Sequence, residues 1–239
     1  MLFISDGLND SRDHLALDEA LLLSAERGEG GEALRVWEFG RPVVVAGRST
    51  RVKDEIDTDF CHGEGVEVLR RCTGGASVVG GPGCLMYSVV LSLSQQGALR
   101  KIDIAHRYVM SRILRAIQTQ IPEVQLQGIC DLTWNEQKFS GNSLRIGRDY
   151  LLYHGTILYS FDLQFLHRCL KFAPRQPEYR QGRSHLDFVT NIVIDPNLFV
   201  DEIKAVFEVA KTVDSSPYHS CMRQLRLDRY DDCKWHNRH

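Results

Sequence analysis

Nothing in this sequence pairs its cysteines. There are seven, at positions 61, 72, 84, 130, 169, 221 and 233. The number is odd and no Cys-x-x-Cys pair occurs, which argues against a disulfide framework and against a cysteine-rich zinc site. They read as mostly buried free thiols in a reducing compartment. Long apolar runs are missing too: none approaches the roughly 20 residues that a membrane helix needs. The start, MLFISDGLND, lacks a basic region leading into an apolar core. The expected location is therefore cytoplasmic, with no membrane role. Nor is charge of one sign in excess. The 29 Lys and Arg against 31 Asp and Glu give a formal charge of −2, so the overall field favours no nucleic-acid partner. A GxxxxGK[ST] phosphate loop is absent, and the spacing of the glycines differs from a dinucleotide fingerprint.

What is present is ordinary globular composition, 43% hydrophobic and 25% charged over 239 residues. Leucine and alanine at helical spacing predict a helix over 14–27, with Asp10 or Ser11 as its cap. Valine-rich runs predict strands at 33–39, 42–47, 66–71, 76–79 and 85–94. A helix over 104–120 follows, stopped by Pro122. Further strands are expected at 124–127, 131–135, 137–147 and 150–161. Helices are expected at 163–172, 198–212 and 217–228. A polar loop covers 173–185, a length that is often functional. This order is not a regular βαβ alternation, so the expected class is α+β with a mixed or antiparallel central sheet flanked by helices.

Three clusters carry chemistry. Arg70 and Arg71 lead into a loop with five glycines in positions 74–83. Glycine lets backbone approach a ligand, exposed N–H groups cradle anions, and arginine forks add charge-assisted bonds. The alternative is a tight hairpin that needs glycine for its geometry. The second cluster is Cys130–Ser143. Asp131 opens one strand, and Lys138 lies in the next, followed by Ser140-Gly141-Asn142-Ser143. A strand-edge lysine is often only a solvated gatekeeper; the small residues after it suggest close approach of a ligand. The third is His154-Gly155-Thr156 inside an apolar strand, where a lone histidine is commonly a structural hydrogen-bonding residue.

In order, Arg70-Arg71-Cys72-Thr73-Gly74-Gly75, Asp131-Leu132, Lys138-Phe139-Ser140-Gly141 and His154-Gly155-Thr156 resemble the pattern of the lipoate–protein ligase A family, within the biotin/lipoate ligase superfamily. Leu17-Asp18-Glu19-Ala20, Leu34-Arg35-Val36-Trp37, Val43–Arg48 and Arg229-Tyr230…Trp235 support it. The likeness spans about residues 10–237. It implies a biotin/lipoate-ligase-type catalytic domain over 1–239, without the C-terminal accessory domain of larger ligases. It also implies lipoate or octanoate as substrate, activated with ATP and Mg2+ to an acyl-AMP. The acyl group then passes to a lysine of a lipoyl domain, such as glycine cleavage H protein or a 2-oxoacid dehydrogenase E2, with a separate accessory subunit as a further partner.

On that resemblance Lys138 is the catalytic donor. Arg70, Arg71, Thr73, Gly74, Gly75, Ala76, Ser77, Tyr87, Asp131, Ser140, Gly141, His154, Gly155 and Thr156 bind the ligands, and Asp131 holds the magnesium or the adenylate. Val78, Leu85, Tyr87 and His154 would line the acyl tunnel, with Arg70 near its entrance. The chain departs from the family at Ala76, Ser77, Val79-Gly80-Gly81, Cys84, Met86 and Cys130. Two alternatives stay open: a transferase working through a cysteine thioester, for which Cys130 is the nearest candidate, and a non-catalytic lipoate or lipoyl-domain binder.

Overall fold

The computed structural model describes residues 1–172 and 176–238. In chain order the elements are β1 (Leu2–Ser5), α1 (Ser11–Glu26), β2 (Ala33–Trp37), β3 (Val43–Ala46), α2 (Val52–Glu55), α3 (Thr58–Gly63), β4 (Glu67–Arg70), β5 (Val78–Gly80) and β6 (Cys84–Ser92). Then follow α4 (Ile102–Gln118), β7 (Gln125–Gln127), β8 (Asp131–Trp134), β9 (Gln137–Ser140), β10 (Asn142–Ile146), β11 (Tyr150–Leu158) and α5 (Leu163–Cys169). The last are α6 (His185–Phe188), α7 (Pro196–Val206), β12 (Lys211–Asp214), α8 (His219–Leu225) and α9 (Cys233–Asn237). No helix among the described residues is long and apolar enough to cross a membrane.

Six strands form the main sheet in the order β10-β11-β6-β2-β1-β12. β1 runs parallel to both of its neighbours, whereas β6, β10 and β11 pair antiparallel. The sheet is therefore mixed, as expected. Its centre is β6, buried along all nine residues. Successive side chains on a strand point to opposite faces, and β6 shows the consequence. Cys84, Met86 and Val90 pack into one apolar core with α1 residues such as Leu15 and Leu22. Leu85, Tyr87, Val89 and Leu91 pack into a second core with Val109, Met110 and Ile113 of α4. Two three-stranded sheets, β4-β3-β5 and β7-β8-β9, complete the strand architecture.

α1 starts where the sequence places it: the Asp10 carboxylate caps it by accepting the Arg12 N–H. It is buried on most of its circumference, Asp18 and Glu19 included. Those two acids are tolerated inside because each has cationic partners, Arg35 for Asp18, and Arg145 with Arg229 for Glu19.

Several boundaries differ from expectation. The helix expected over 198–212 is α7, and it stops at Val206. Glu208 then takes a left-handed φ of 53°, which breaks the helix. Residues 211–214 instead form β12, paired with β1 at the sheet edge. Both are four-residue strands, too short to display a period. The run 137–147 is two strands with Gly141 between them: β9 pairs with β8 and β10 with β11. The helix expected over 217–228 is α8, continued by a π-helical turn, Arg226–Tyr230. Of the loop expected over 173–185, residues 173–175 lie outside the described residues; the rest holds a short turn, Glu178–Arg180.

Candidate functional site

The segment 71–77 joins β4 to β5, and Arg71 organises it from beneath. Its guanidinium donates to the carbonyls of Val45 at 3.0 Å, Ala76 at 2.9 Å and Gly74, and its Nε donates to Thr73 Oγ1 at 3.0 Å. Ser143 Oγ also donates to the Gly74 carbonyl, at 2.8 Å, and Thr50 Oγ1 to that of Gly75, at 3.3 Å. With the carbonyls held inward, the N–H groups of Gly74, Gly75 and Ala76 are left without a protein partner among the described residues. All three residues are exposed. Gly75 sits at φ 84°, a conformation that suits glycine. The next N–H, that of Ser77, donates to Glu55 Oε2 at 2.7 Å.

Lys138, on β9, projects beside this loop. Its Nζ pairs with Asp131 Oδ1 at 2.8 Å, and Tyr179 donates its hydroxyl to Asp131 Oδ2, also at 2.8 Å. A Cβ on Gly141 would meet Lys138 Cε and Nζ at 3.2 Å, so the glycine gives the lysine room to lie across the backbone. Thr156 fixes that glycine, its Oγ1 accepting the Gly141 N–H at 3.2 Å. Two cavities adjoin here, and Ala76, Ser77, Val78, Lys138, Gly141 and Thr156 line both. The first, about 140 Å³, extends to Glu55, Lys171, Arg180 and Phe188. The second, about 110 Å³, is lined by the apolar Leu15, Trp37, Val45 and Met86 and by the polar Asp18, Arg71, Asp131 and His154. One ordered water needs only about 10–15 Å³ on the same measure, so each cavity has space for part of an organic ligand.

His154 lines the second cavity from β11 and heads a buried chain of hydrogen bonds. Asp18 only accepts, so Nδ1–H of His154 donates to Asp18 Oδ2 at 3.1 Å, and with the imidazole kept neutral by burial, Nε2 accepts the Thr73 hydroxyl proton at 2.6 Å. Asp18 Oδ1 in turn accepts from Arg35 at 2.7 Å and Ser88 at 2.8 Å. This polarity requires a neutral imidazole. Burial, which outweighs the attraction of Asp18, pushes the His154 proton affinity down accordingly. Burial opposes the Asp18 charge as well, but the bond from His154 and the nearby Arg35 hold its carboxyl below the usual range.

His14 belongs to the same network, with Nδ1 2.8 Å from Arg35 Nη2. Burial and Arg35 push it down to about 4. Burial, with Arg180, His167 and Lys138 nearby, does the same to His185, also to about 4. Unfolding restores both to about 6.5, so between these values the unfolded chain binds more protons. Stability is therefore expected to fall as pH drops from about 6.5 to about 4, by up to about 1.4 kcal/mol per pH unit for each histidine. Thermal melts across this interval test it; a level melting temperature contradicts the neutral assignment.

The expectations for Arg70, Leu85 and Tyr87 change. Arg70 does not flank the cavities. It is fully buried on the opposite side of β4 and donates to the carbonyls of Gly47 at 2.6 Å, Thr50 at 2.9 Å, His236 at 3.0 Å and Arg238 at 2.7 Å. Consecutive residues of an extended chain point oppositely, so only one of the two arginines reaches the loop. Tyr87 and Leu85 face the α4 core by the same alternation, while Met86 between them lines the second cavity. Gly155 lines the second cavity and also makes room for protein: a Cβ there would lie 1.8 Å from Asn142 Oδ1 and 2.9 Å from the Tyr87 ring. Gly80, Gly81 and Gly83 likewise pack against Phe39, Pro42 and Ser160; β5 and β6 lie in different sheets, so this half of the loop is not the hairpin that the sequence offered as an alternative.

Asp131 has both oxygens engaged, and among the described residues no three His, Cys, Asp or Glu side chains converge on a metal position. Ser140 Oγ accepts from Asn142 Nδ2 at 3.0 Å, and the same nitrogen holds the Cys130 carbonyl at 2.7 Å. Asn142, Asp18, Arg35, Glu55 and Tyr179 are site residues that motif reading did not select. Asp18 and Arg35 stood in the supporting matches, but nothing in the sequence shows that they meet beneath His154.

A model of the family "Lipoyl protein ligase A/B catalytic domain" matches residues 10–210. Octanoyltransferase LipM of Carboxydothermus hydrogenoformans is 30% identical over 184 residues, covering 70% of this chain and 68% of its own. Lipoate–protein ligase 1 of Staphylococcus aureus is 24% identical over 220 residues, 89% of this chain and 63% of its own. The fold is that of the bi-partite lipoate protein ligase of Thermoplasma acidophilum, with a TM-score of 0.81 at 21% identity over 99% of this chain and 95% of that one. A lipoate-protein ligase A bound with ATP superposes with a TM-score of 0.76 at 20% identity, covering 99% and 98%. The loop, the lysine and the histidine strand thus lie on the scaffold that their order in the sequence suggested, and the chain belongs to the lipoyl protein ligase A/B catalytic domain family.

Proposed function

We propose that this protein acylates a lysine of a lipoyl-domain acceptor, using lipoate or octanoate activated with ATP. The observation that carries the reading is the position of Lys138 at the junction of two cavities, both lined in part by apolar side chains. The second cavity takes the acyl tail, and Leu15, Trp37, Val45 and Met86 in its lining reward burial of each methylene by about 0.8 kcal/mol. The first takes the nucleotide. The acyl carboxylate attacks the α-phosphorus, pyrophosphate leaves, and the acceptor lysine then displaces AMP from the acyl carbonyl. Both steps concentrate negative charge between the cavities. Lys138 Nζ and the unpartnered N–H groups of Gly74, Gly75 and Ala76 are donors already in place for it. Lys138 leaves Asp131 when the ligand's anion arrives, and Asp131 keeps the Tyr179 hydroxyl as partner. Arg71 and the Thr73–His154–Asp18 chain hold the loop rigid and stay outside the chemistry.

The similarity to octanoyltransferases named LipM motivates a second reading, a thioester enzyme. Cys130 is poorly suited to it. Burial and Asp131 push its thiol up to about 11, so little thiolate exists at neutral pH, and it lines neither cavity. Mass spectrometry of an added lipoyl domain separates the two readings, with lipoate plus ATP in one tube and an octanoyl carrier in another. We expect acylation and pyrophosphate release in the first, unchanged in Cys130→Ser. Acylation only from the carrier, abolished in Cys130→Ser with an acyl-thioester trapped on the wild type, overturns the ligase reading.

A further inference from the structure

Among the described residues, Arg180 is buried without a counter-ion. It is 5% exposed and lies on the wall of the first cavity. Its guanidinium carbon stands 4.8 Å from the Phe172 ring centroid and 4.9 Å from that of Phe188. Nε donates to the Arg183 carbonyl at 3.0 Å, while Nη2 is buried with no hydrogen-bond partner among the described residues. No described carboxylate forms an ion pair with it. The acids on this side are engaged elsewhere, Glu55 by the Ser77 N–H and Asp131 by Lys138 and Tyr179. The remaining neighbours carry the same sign or none: Arg183 presses on Arg180, and His185 lies among Arg180, His167 and Lys138.

Burying a cation is costly unless it is paired, and an unsatisfied donor adds to that cost. Two aromatic faces offset only part of it. A guanidinium in a cavity wall, held by stacking and left without its anion, awaits a counter-charge from a ligand. We propose that Arg180 binds a phosphate group of the substrate that enters the first cavity. A phosphate presents the oxygens that a guanidinium fork matches. The proposal rests on the reading above for the identity of that substrate. Phosphate oxygens come from ATP if the enzyme is a ligase, and from the phosphopantetheine arm of an acyl carrier if it is a transferase.

Calorimetric titration of the whole protein with ATP and, separately, with octanoyl-phosphopantetheine tests this in wild type, Arg180→Met and Arg180→Lys. Methionine keeps the packing between the two rings and removes the charge; lysine keeps a charge without the fork. Circular dichroism and thermal melts confirm that each variant is folded. Arg180→Met is expected to weaken the phosphate ligand about 10- to 100-fold, raising its KM far more than it lowers kcat, with Arg180→Lys in between. If wild type binds ATP and Arg180→Met binds it equally well, the ligase reading stands and the anion site falls. If wild type binds only the phosphopantetheine ester and Arg180→Met weakens that, the anion site stands and the ligase reading falls. Equal binding of both ligands by all three proteins leaves Arg180 a packing residue and overturns the proposal.

Discussion

Lys138→Ala is expected to lower acyl transfer by about 10²- to 10³-fold, the usual effect of removing one preorganised donor at a developing negative charge. The protein should remain folded. The lysine side chain is 28% exposed, and its ion pair with Asp131 spans 2.8 Å at the mouth of the cavities. Such partly exposed pairs contribute about 0–1 kcal/mol to stability, so melting temperature should hardly move while activity collapses. Lys138→Arg should not restore it. Nζ passes within van der Waals reach of the position a Gly141 Cβ would take, and a planar guanidinium is wider than the compact ammonium that fits there. Initial rates of lipoyl-domain acylation, measured beside thermal melts, decide the matter. A rate within about threefold of wild type, on a folded variant, removes Lys138 from the chemistry.

Arg70→Ala should show the opposite pattern, a large loss of stability with no direct loss of a ligand contact. Arg70 reaches two separate segments, 47–50 and the C-terminal 235–238, and lines neither cavity. Trp235 Nε1 and His236 Nδ1 bond back to its main chain at 2.9 and 3.0 Å. Removing the guanidinium strands the buried carbonyls of Thr50 and His236 and takes a partner from those of Gly47, which keeps the Thr50 N–H, and of half-buried Arg238. Each stranded group costs about 1–3 kcal/mol, so the total should be about 2–6 kcal/mol, against a typical stability of about 5–15. Urea unfolding of wild type and Arg70→Ala measures it. Arg70→Lys should recover only part, because one ammonium cannot reach carbonyls on both segments. An unfolding midpoint equal to wild type would refute the structural role.

Adjacent and identical in type, Arg70 and Arg71 show where sequence reading stopped. The pair marked a ligand loop, and Arg71 does shape that loop through its carbonyls. Nothing in the letters says that Arg70 turns to the other side, because its partners, residues 235–238, lie more than 160 positions away. The glycines divide in the same manner. Gly74 faces open space, whereas Gly155 and Gly83 exist for the side chain and backbone that press on them. Composition cannot separate a glycine that admits a ligand from one that admits a neighbour. β1 and β12 were illegible for another reason: four-residue strands carry no period, and their pairing joins residues 2–5 to residues 211–214.

By itself the sequence determined the elements with strong local signals and the ordered motifs that mark the family. These were the Asp10-capped α1, the long valine- and leucine-rich strands, the loop after Arg71, Lys138 in a strand and His154 in another. Local propensity and motif spacing are properties of neighbouring residues, so they survive in one dimension. Only the tertiary structure decided which of these residues share a site. It set Lys138 between two cavities, put His154 above Asp18 and Arg35, turned Arg70 and Tyr87 away, and placed Arg180 in a wall without a counter-ion. Those outcomes depend on which face of a strand a residue occupies and on what distant segment packs there, and burial decides both.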